Sequence, residues 1–469
     1  MTKITIFTLS ICALFLCLSC EKDSDTPAPS RKMTFTAYQE SVTTRTTLGS
    51  GSGTNKTMLW SSGDKISVLY QDINGNSQNV QFTLSSGVGE TKGTFTGTLP
   101  TELGGTSYLA LYPYQSAAKY SDENIANVSI PQIQKATAGS FDPDAAIMVA
   151  ESDATEGVFA FKNVCSYAVV TPKFDCKSII IRSVGGETIV CQGTLTSPLS
   201  SSSSHLSSLI SSPQVTLVGD IKANTSYYIA LLPQTLSQGF SVAYFTDHSQ
   251  VNRTNTDPFT FERSQYHDIS NSCPESAPTT LRYVDLGLSV NWATMNLGAV
   301  KQTDMGLSFA WGETAPKYSY NWENYKWGDG SEHTTITSEF VSKYNSSDNK
   351  SPLDSSDDAA TAIWGTAWRI PTQNEMQELI KECNWEYESA TNRYKVTSKK
   401  TGYTDNFIYI PVDATSGSKY WTSSVSDATH YTLAHSLRLT PPDDNPSDDI
   451  SLTTDSRYTP LLIRPVSPR

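Results

Sequence analysis

The chain is poor in the residues that usually build catalytic and metal centres. It has six histidines in 469 residues, and they form no cluster with ligand-like spacing. No Gly-x-Ser-x-Gly, His-Glu-x-x-His or phosphate-binding glycine loop occurs. We therefore expect a protein that is not an enzyme and that uses no metal or cofactor. Two-carboxylate catalysis stays open, because two acids far apart in sequence can meet in space.

Positive charge is scarce relative to negative charge. The chain has 34 Lys and Arg residues against 47 Asp and Glu residues, which gives a net charge of −13. This balance argues against nucleic acid and against an anionic membrane surface as partners.

Long apolar runs are also lacking, with one exception at the N-terminus. Residues 4–18 are predominantly apolar, follow Lys3 and end in Cys-Leu-Ser-Cys, and the run is too short to span a bilayer. This pattern predicts a lipoprotein signal peptide over 1–19, with cleavage before Cys20 and acylation of its sulfur, so that the lipid is the anchor. An ordinary signal peptide beside an unmodified Cys20 is the alternative. The polar, Pro-containing run 20–32 predicts a flexible spacer.

Few cysteines remain after this processing, and their number is odd. They are Cys165, Cys176, Cys191, Cys273 and Cys383, and no two of them form a Cys-x-x-Cys pair. A disulfide-stapled scaffold is not expected, although one disulfide among Cys165, Cys176 and Cys191 stays open.

Tryptophan is nearly absent from the first 280 residues, and this shift marks a boundary. Trp60 is the only one there, and the other eight of the nine lie beyond it. The Ser/Pro/Thr-rich stretch 273–280 predicts a linker. Before it, apolar and polar residues alternate with a period of two between turn signals. We predict two successive antiparallel β-sandwiches, over 33–160 and 161–272, and a third domain over 281–469.

Several strand and turn motifs before the linker match a known family. They are LWSSGDKISVLY (59–70), FAFKNVCSYAVV (159–170), IIIRSVGGETIVCQGTLT (179–196) and TSYYIALLPQTLSQGFSVAYF (225–245). With these motifs the chain resembles the fimbrillin-like proteins of gut and oral Bacteroidetes over 33–270. The resemblance implies two transthyretin-like sandwiches in a lipoprotein precursor of a pilus subunit, and some members sit at the fibre tip. The Glu-Lys-Asp run after Cys20 resembles the signal that sends lipoproteins of these bacteria to the cell surface, and a generic solvated spacer explains it equally well.

The C-terminal part contains a second set of motifs. They are LRYVDLGLSVNWATMNLGA (281–299), GLSFAWGETAPKYSYNWENYKWGDG (306–330), LDSSDDAATAIWGTAWRIPTQNEMQELIKECNW (353–385) and LLIRPV (461–466). This series resembles the FISUMP-type major paralogous domain of bacterial surface lipoproteins over 283–466, which implies a C-type-lectin-like α+β fold. Related sequences often carry a cysteine where this one has Met295, so any pairing with Cys383 is lost and Cys383 is expected as a small buried hydrophobe.

One helix is strongly indicated within this domain. Thr372 followed by Glu375 forms a capping box, and Met376, Leu379 and Ile380 follow at helical spacing. We expect the apolar face of this helix to pack against the sheet.

Two acidic groups were weighed as metal ligands. The run PPDDNPSDD contains Asp443, Asp444, Asp448 and Asp449, matches no calcium-loop spacing and predicts a solvated acidic loop. Asp357 and Asp358 are expected to start a helix rather than to bind metal.

Four tryptophans are candidate ligand-binding residues. Trp311, Trp322, Trp327 and Trp421 lie in or beside turn-rich segments with Asn, Asp and Glu nearby, where an exposed ring can stack on the apolar face of a sugar. For each of them, filling the core of a loop-rich domain is the alternative. Trp364 and Trp368 are expected in the core.

Two arginines are candidate processing sites. In the resembled pilins the lipid-bearing precursor is cut after an arginine, and the strand removed leaves a groove that the next subunit fills by strand addition. Arg45 and Arg31 are the candidates here, and an uncut exposed arginine is the alternative. The closing LLIRPV is expected inside the third domain and not as a free donor strand, which favours a tip position.

The sequence therefore predicts a lipid-anchored adhesin of the outer membrane, at the cell surface or on a fimbrium. We expect it to be of the pilus-tip type and to bind a glycan or a host protein through 281–469, with the calcium requirement left open. A structural or anchoring pilus subunit without a ligand of its own, and a surface polysaccharide-acting enzyme, are the alternatives.

Overall fold

The structure is a computed structural model of the chain. It describes residues 30–39, 59–122, 124–153, 155–196, 206–331, 340–426, 431–442 and 449–469. Strands account for 47% and helices for 7%, so the prediction of a mostly β fold is confirmed. No helix within the described ranges is long and apolar enough to cross a membrane.

The first unit is built around a closed barrel. The strands up to residue 163 are β1 Arg31–Gln39, β2 Lys65–Gln71, β3 Ser77–Ser86, β4 Lys92–Leu99, β5 Ser107–Tyr112, β6 Lys119–Ser121, β7 Asn124–Ser129, β8 Ile133–Lys135, β9 Met148–Asp153 and β10 Val158–Asn163. Seven of them close in the order β1, β10, β9, β5, β2, β3, β4. β1 pairs antiparallel with β4 and parallel with β10, and its residues Phe35 and Ala37 are fully buried. β1 therefore completes the barrel wall.

The second unit takes strands from the first. Its own strands are β11 Ser166–Val170, β12 Cys176–Ser183, β13 Val190–Thr196, β14 Leu206–Ser212, β15 Gln214–Ile221, β16 Tyr227–Leu231, β17 Gln234–Leu236, β18 Phe240–Phe245, β19 Ser249–Asn255, β20 Phe259–Phe261 and β21 Tyr266–Asp268. β7 pairs antiparallel with β13, and β8 pairs parallel with β15. One buried cluster runs from Phe35 to Cys273, so the two units share a core. The sequence did not predict this exchange of strands.

The third unit combines short sheets with two helices. Its elements are β22 Thr280–Leu281, β23 Tyr283–Val284, β24 Val290–Ala293, α1 Ala359–Trp364, α2 Gln373–Glu382, β25 Cys383–Glu388, β26 Arg393–Ser398, β27 Phe407–Pro411, β28 Ser418–Val425, β29 Leu433–Leu439, β30 Ile450–Ser456 and β31 Val466–Pro468. Short 3-10 turns lie at Pro143–Ala145, Ser270–Ser272 and Ser355–Asp357. β31 pairs antiparallel with β24, which places the LLIRPV segment inside the fold.

The predicted helix forms as expected. α2 begins after Thr372, whose hydroxyl accepts the Glu375 N–H at 3.3 Å, while the Glu375 carboxylate accepts the Thr372 N–H at 2.7 Å. Met376 and Leu379 are fully buried, and Ile380 packs against the same cluster. Cys383 is buried beside them, and burial raises the pKa of its thiol to about 12.

Candidate functional site

Trp311 and Trp421 are core residues. Their side chains are 1% and 0% exposed, and the indole N–H groups donate to the Thr422 and Phe309 carbonyl oxygens at 2.8 and 2.7 Å. A ring enclosed in this way has no face for a ligand. The expectation of exposed rings is therefore corrected at both positions, and the core alternative applies.

Trp322 and Trp327 keep part of their rings accessible. Trp322 is half-buried and meets the rings of Tyr325 and Tyr458 edge to face, with centroids 5.4 and 5.2 Å apart. Trp327 is half-buried as well, and its indole N–H donates to the Gly312 carbonyl oxygen at 3.2 Å. Of the four predicted residues, these two can offer a ring to a ligand.

Two ammonium groups flank the Trp327 ring. Lys326 Nζ and Lys343 Nζ lie 4.4 and 5.0 Å from the ring centroid. Both lysines also pair with Asp357, which accepts a third hydrogen bond from the Tyr344 hydroxyl at 2.6 Å. Burial acts to raise the pKa of Asp357, but these hydrogen bonds outweigh it and hold the pKa below its usual value. This network fixes the Trp327 ring in place.

A groove of about 360 Å³ opens elsewhere on the third unit, where β28 begins and β29 ends. We call it the β28–β29 groove. Its polar lining includes Ser308, Asp413, Lys419 and Arg438, and Pro460 lies exposed on its apolar side. The volume is within the range of small-ligand sites.

Two cations stand opposite each other in this groove. Lys419 and Arg438 are directly paired across β28 and β29, so their side chains share one face. Lys419 forms an ion pair with Asp455. Arg438 is exposed, and its side chain has neither an ion pair nor a hydrogen bond with any other residue that the structure describes. Among these residues its guanidinium is therefore unpaired.

An ionised carboxylate completes the polar lining. Asp413 Oδ1 accepts the N–H groups of Thr415 and Ser416 at 3.0 and 2.8 Å and the Ser416 hydroxyl at 2.9 Å. These bonds, led by the Ser416 N–H, lower the pKa of Asp413. Oδ2 is left without a partner among the described residues. Counting only the described residues, the groove therefore offers one unpaired cationic donor and one unpaired carboxylate oxygen.

A buried cation lies at the junction between the third unit and the second. Arg282 is 1% exposed, and its Nη1 donates to the Thr246 carbonyl oxygen at 2.7 Å. Its guanidinium carbon lies 3.8 Å from the ring centroid of Trp364 and 5.0 Å from that of Trp368. Burial lowers the pKa of Arg282 to about 9. Trp364 also stacks on Phe245 of β18. Trp364 and Trp368 are buried, as expected, and they also form the junction between the units.

Polar contacts surround this junction. Arg182 and Asp304 form an ion pair at 2.7 Å, and Trp368 Nε1 donates to the Asp247 carbonyl oxygen at 2.6 Å. Farther along, the Tyr318 hydroxyl donates to the Ile130 carbonyl oxygen at 2.8 Å. The stretch predicted as a linker ends next to β22, which pairs with β19 of the second unit. The third unit is thus docked on the second and not loosely tethered.

Asp358 starts the helix α1. Its Oδ1 accepts the Ala360 and Thr361 N–H groups at 2.9 and 3.0 Å, and Oδ2 accepts the Ile370 N–H at 2.8 Å. This arrangement agrees with the helix-start role expected for the Asp357–Asp358 pair. Burial outweighs these bonds and raises the pKa of Asp358 to about 6.

The remaining predicted sites divide into described and undescribed residues. Cys20, Arg45 and the acids Asp443, Asp444 and Asp448 lie outside the described residues. Arg31 is the first residue of β1 and is exposed. Among the residues that the structure describes, no three His, Cys, Asp or Glu side chains are grouped to hold a metal ion. The five described cysteines are free thiols.

Sequence reasoning missed Asp413 and Arg438. Signals for both exist: Asp413 opens the turn Asp-Ala-Thr-Ser-Gly, and Arg438 occupies an outward position in a strand of alternating pattern. Neither signal distinguishes a binding residue from an ordinary surface residue. The tertiary fold brings the two side chains into one groove, because Arg438 lies on β29 and Asp413 lies in the turn before β28, which pairs with β29.

Comparison with known proteins found two partly similar solved structures. One is described as a "putative cell adhesion protein" from Bacteroides ovatus, with 12% identity and a TM-score of 0.31, covering 54% of this chain and 97% of that one. The other carries the same description, from Parabacteroides distasonis, with 11% identity and a TM-score of 0.28, covering 53% of this chain and 91% of that one. No protein-family model and no curated protein matches the chain. At these TM-scores the similarity carries no weight for the function.

Proposed function

We propose that the protein is a surface-anchored adhesin of the fimbrillin-like, pilus-tip type that binds a glycan or protein ligand through residues 281–469. The observation that carries the proposal is the docked third unit, which holds the half-buried rings of Trp322 and Trp327 in a segment with Asn321, Asn324 and Asp329. A rigid site of this composition can stack on the apolar face of a sugar and accept its hydroxyl hydrogen bonds. The role is binding and not catalysis.

The last described strand, β31, is part of the fold of the third unit. This strand is held by β24, and Arg369 adds a bridge to Val466. A strand used in this way inside the third unit cannot at the same time fill a groove in a neighbouring subunit.

A glycan array probed with the full chain, with and without calcium, tests the adhesin proposal. The full chain is needed because the third unit buries Arg282 and Trp364 against the second. Binding that is lost in Trp322→Ala or Trp327→Ala supports the proposal. Trp385→Ala is the matched control, because Trp385 is also half-buried but lies on β25 and not in the loop that carries Trp322 and Trp327. A folded chain that binds no glycan overturns the sugar ligand and leaves a protein ligand as the object of a pull-down.

A pilus subunit that accepts a donor strand is the second candidate, and the position of β1 favours it. β1 lies between β4 and β10, and its removal would expose the positions that Phe35 and Ala37 fill. A cut after Arg31 leaves nearly all of β1 attached to the chain, whereas a cut after Arg45 separates β1 from β2. Only Arg45 is therefore suited to open the groove.

Digestion with an arginine-specific protease tests this candidate. We expect cleavage after Arg45 to release β1 and to yield detergent-resistant oligomers when a donor peptide or subunit is supplied. Arg45→Ala should abolish both effects, and Arg31→Ala should leave both intact. Complete cleavage at Arg45 without release of β1 would refute strand addition at this groove.

A further inference from the structure

We propose that the β28–β29 groove binds a sugar residue that carries a carboxylate, such as a hexuronic or sialic acid unit. The proposal rests on the glycan-binding function proposed above. It names the class of sugar and adds a second contact site to the half-buried tryptophans.

The first argument is an uncompensated charge pair. Like charges directly opposite each other on a sheet are destabilising, and Lys419 faces Arg438 across β28 and β29. Asp455 forms an ion pair with Lys419, but in the part of the chain that the structure describes no carboxylate forms an ion pair with Arg438. A like-charge pair that lowers the stability of a sheet and is not fully offset by ion pairs is typical of a functional position. An anionic ligand group would supply the missing counter-charge.

The second argument is the chemistry of the lining. The planar guanidinium of Arg438 can donate two parallel hydrogen bonds to a carboxylate. Asp413 Oδ2 can accept a hydrogen bond from a sugar hydroxyl, and the Ser308 hydroxyl adds a donor and acceptor. Pro460 presents an apolar surface to the C–H face of a ring. A carboxylated sugar has a carboxylate for Arg438, hydroxyl groups for Asp413 and Ser308, and an apolar C–H face for Pro460.

The charge balance distinguishes this ligand from other anions. Lys419 is already paired, so, as far as the described ranges show, Arg438 is the unpaired cation of the groove, and the ionised Asp413 lines the same groove. A dianionic phosphate would meet repulsion from Asp413, whereas a carboxylate and a hydroxyl on one ring can each meet its complementary group.

Two sugars that differ at one carbon provide the test. Methyl β-glucuronide and methyl β-glucoside are titrated against the full chain by saturation-transfer NMR. We expect the glucuronide to bind about tenfold more tightly or better, because its carboxylate adds charge-assisted hydrogen bonds to Arg438. Arg438→Gln should remove this preference, Arg438→Lys should restore part of it, and Asp413→Asn should weaken both sugars.

Controls separate binding from folding and from general charge. Arg253→Gln removes another exposed arginine, whose side chain has a single hydrogen bond to the described residues, to the Asn252 carbonyl oxygen at 3.5 Å, and should change nothing. Arg438→Gln should unfold at the temperature of the parent chain or slightly above it, because no described partner is lost and a like-charge pair is removed. Equal binding of both sugars, or a preference that survives Arg438→Gln, overturns this inference and leaves the adhesin proposal standing. Absence of binding to these sugars together with an array on which no glycan binds overturns both.

Discussion

Replacement of Asp358 by alanine should loosen the junction between the third and second units. The substitution removes the N-cap of α1, which contributes about 0.5–2 kcal/mol. It also leaves the Ile370 N–H, now bonded to Oδ2 at 2.8 Å, without a partner in a buried place, which costs about 1–3 kcal/mol. We expect a loss of about 2–4 kcal/mol in the free energy of unfolding of the third unit.

The effect should spread beyond the helix, because α1 packs against β12 and β15 of the second unit. Urea unfolding followed by tryptophan fluorescence measures the free energy, and hydrogen exchange at Ala360, Thr361 and Ile370 reports the local loss of protection. Asp354→Ala is the matched control, since Asp354 is part-exposed and paired with Lys343 and Lys350. It should cost about 0–1 kcal/mol.

The reasoning would be refuted if Asp358→Ala cost no more than Asp354→Ala. It would also be refuted if the hydrogen-exchange rate of the Ile370 amide were unchanged, because the hydrogen bond to Asp358 protects this amide from exchange.

Three further outcomes are expected. In the folded chain the pKa of Asp358 is raised to about 6, so the folded chain binds more protons than the unfolded chain between roughly pH 4 and 6. The free energy of unfolding of the parent chain, compared with that of Asp358→Asn, should therefore increase as the pH falls through this window. Urea titrations at several pH values measure it. Arg282→Met should leave the free energy of unfolding unchanged or raise it by about 1–4 kcal/mol, since it removes a buried charge whose guanidinium has one hydrogen bond to the described residues. Arg282→Ala should lower the free energy of unfolding, because it leaves a cavity. Urea unfolding curves of the two variants test both expectations. Trp421→Ala should lower the free energy of unfolding by about 3–5 kcal/mol, and calorimetry should find a smaller loss for half-buried Trp322→Ala.

Features encoded by neighbouring residues could be predicted from the sequence. The capping box of Thr372 and Glu375 depends on two residues three positions apart, and it is present in the structure. For Trp311 and Trp421 the sequence left ligand binding and core burial as alternatives, because a turn-rich segment can hold a tryptophan on the surface or beneath it, and the structure decides for the core. Arg438 and Asp413 were missed for a related reason, since the groove exists only after β28 and β29 pair.

The placement of β7 and β8 has a consequence for how the nascent chain matures. β7 ends at residue 129, but its partner β13 begins at residue 190 and the partner of β8, β15, at residue 214. At ordinary rates of synthesis, the buried side chains of Ile125 and Val128 stay uncovered for on the order of seconds. A fragment that ends near residue 160 would expose these apolar side chains and would not be an independent domain, so the first two units must fold as a single product.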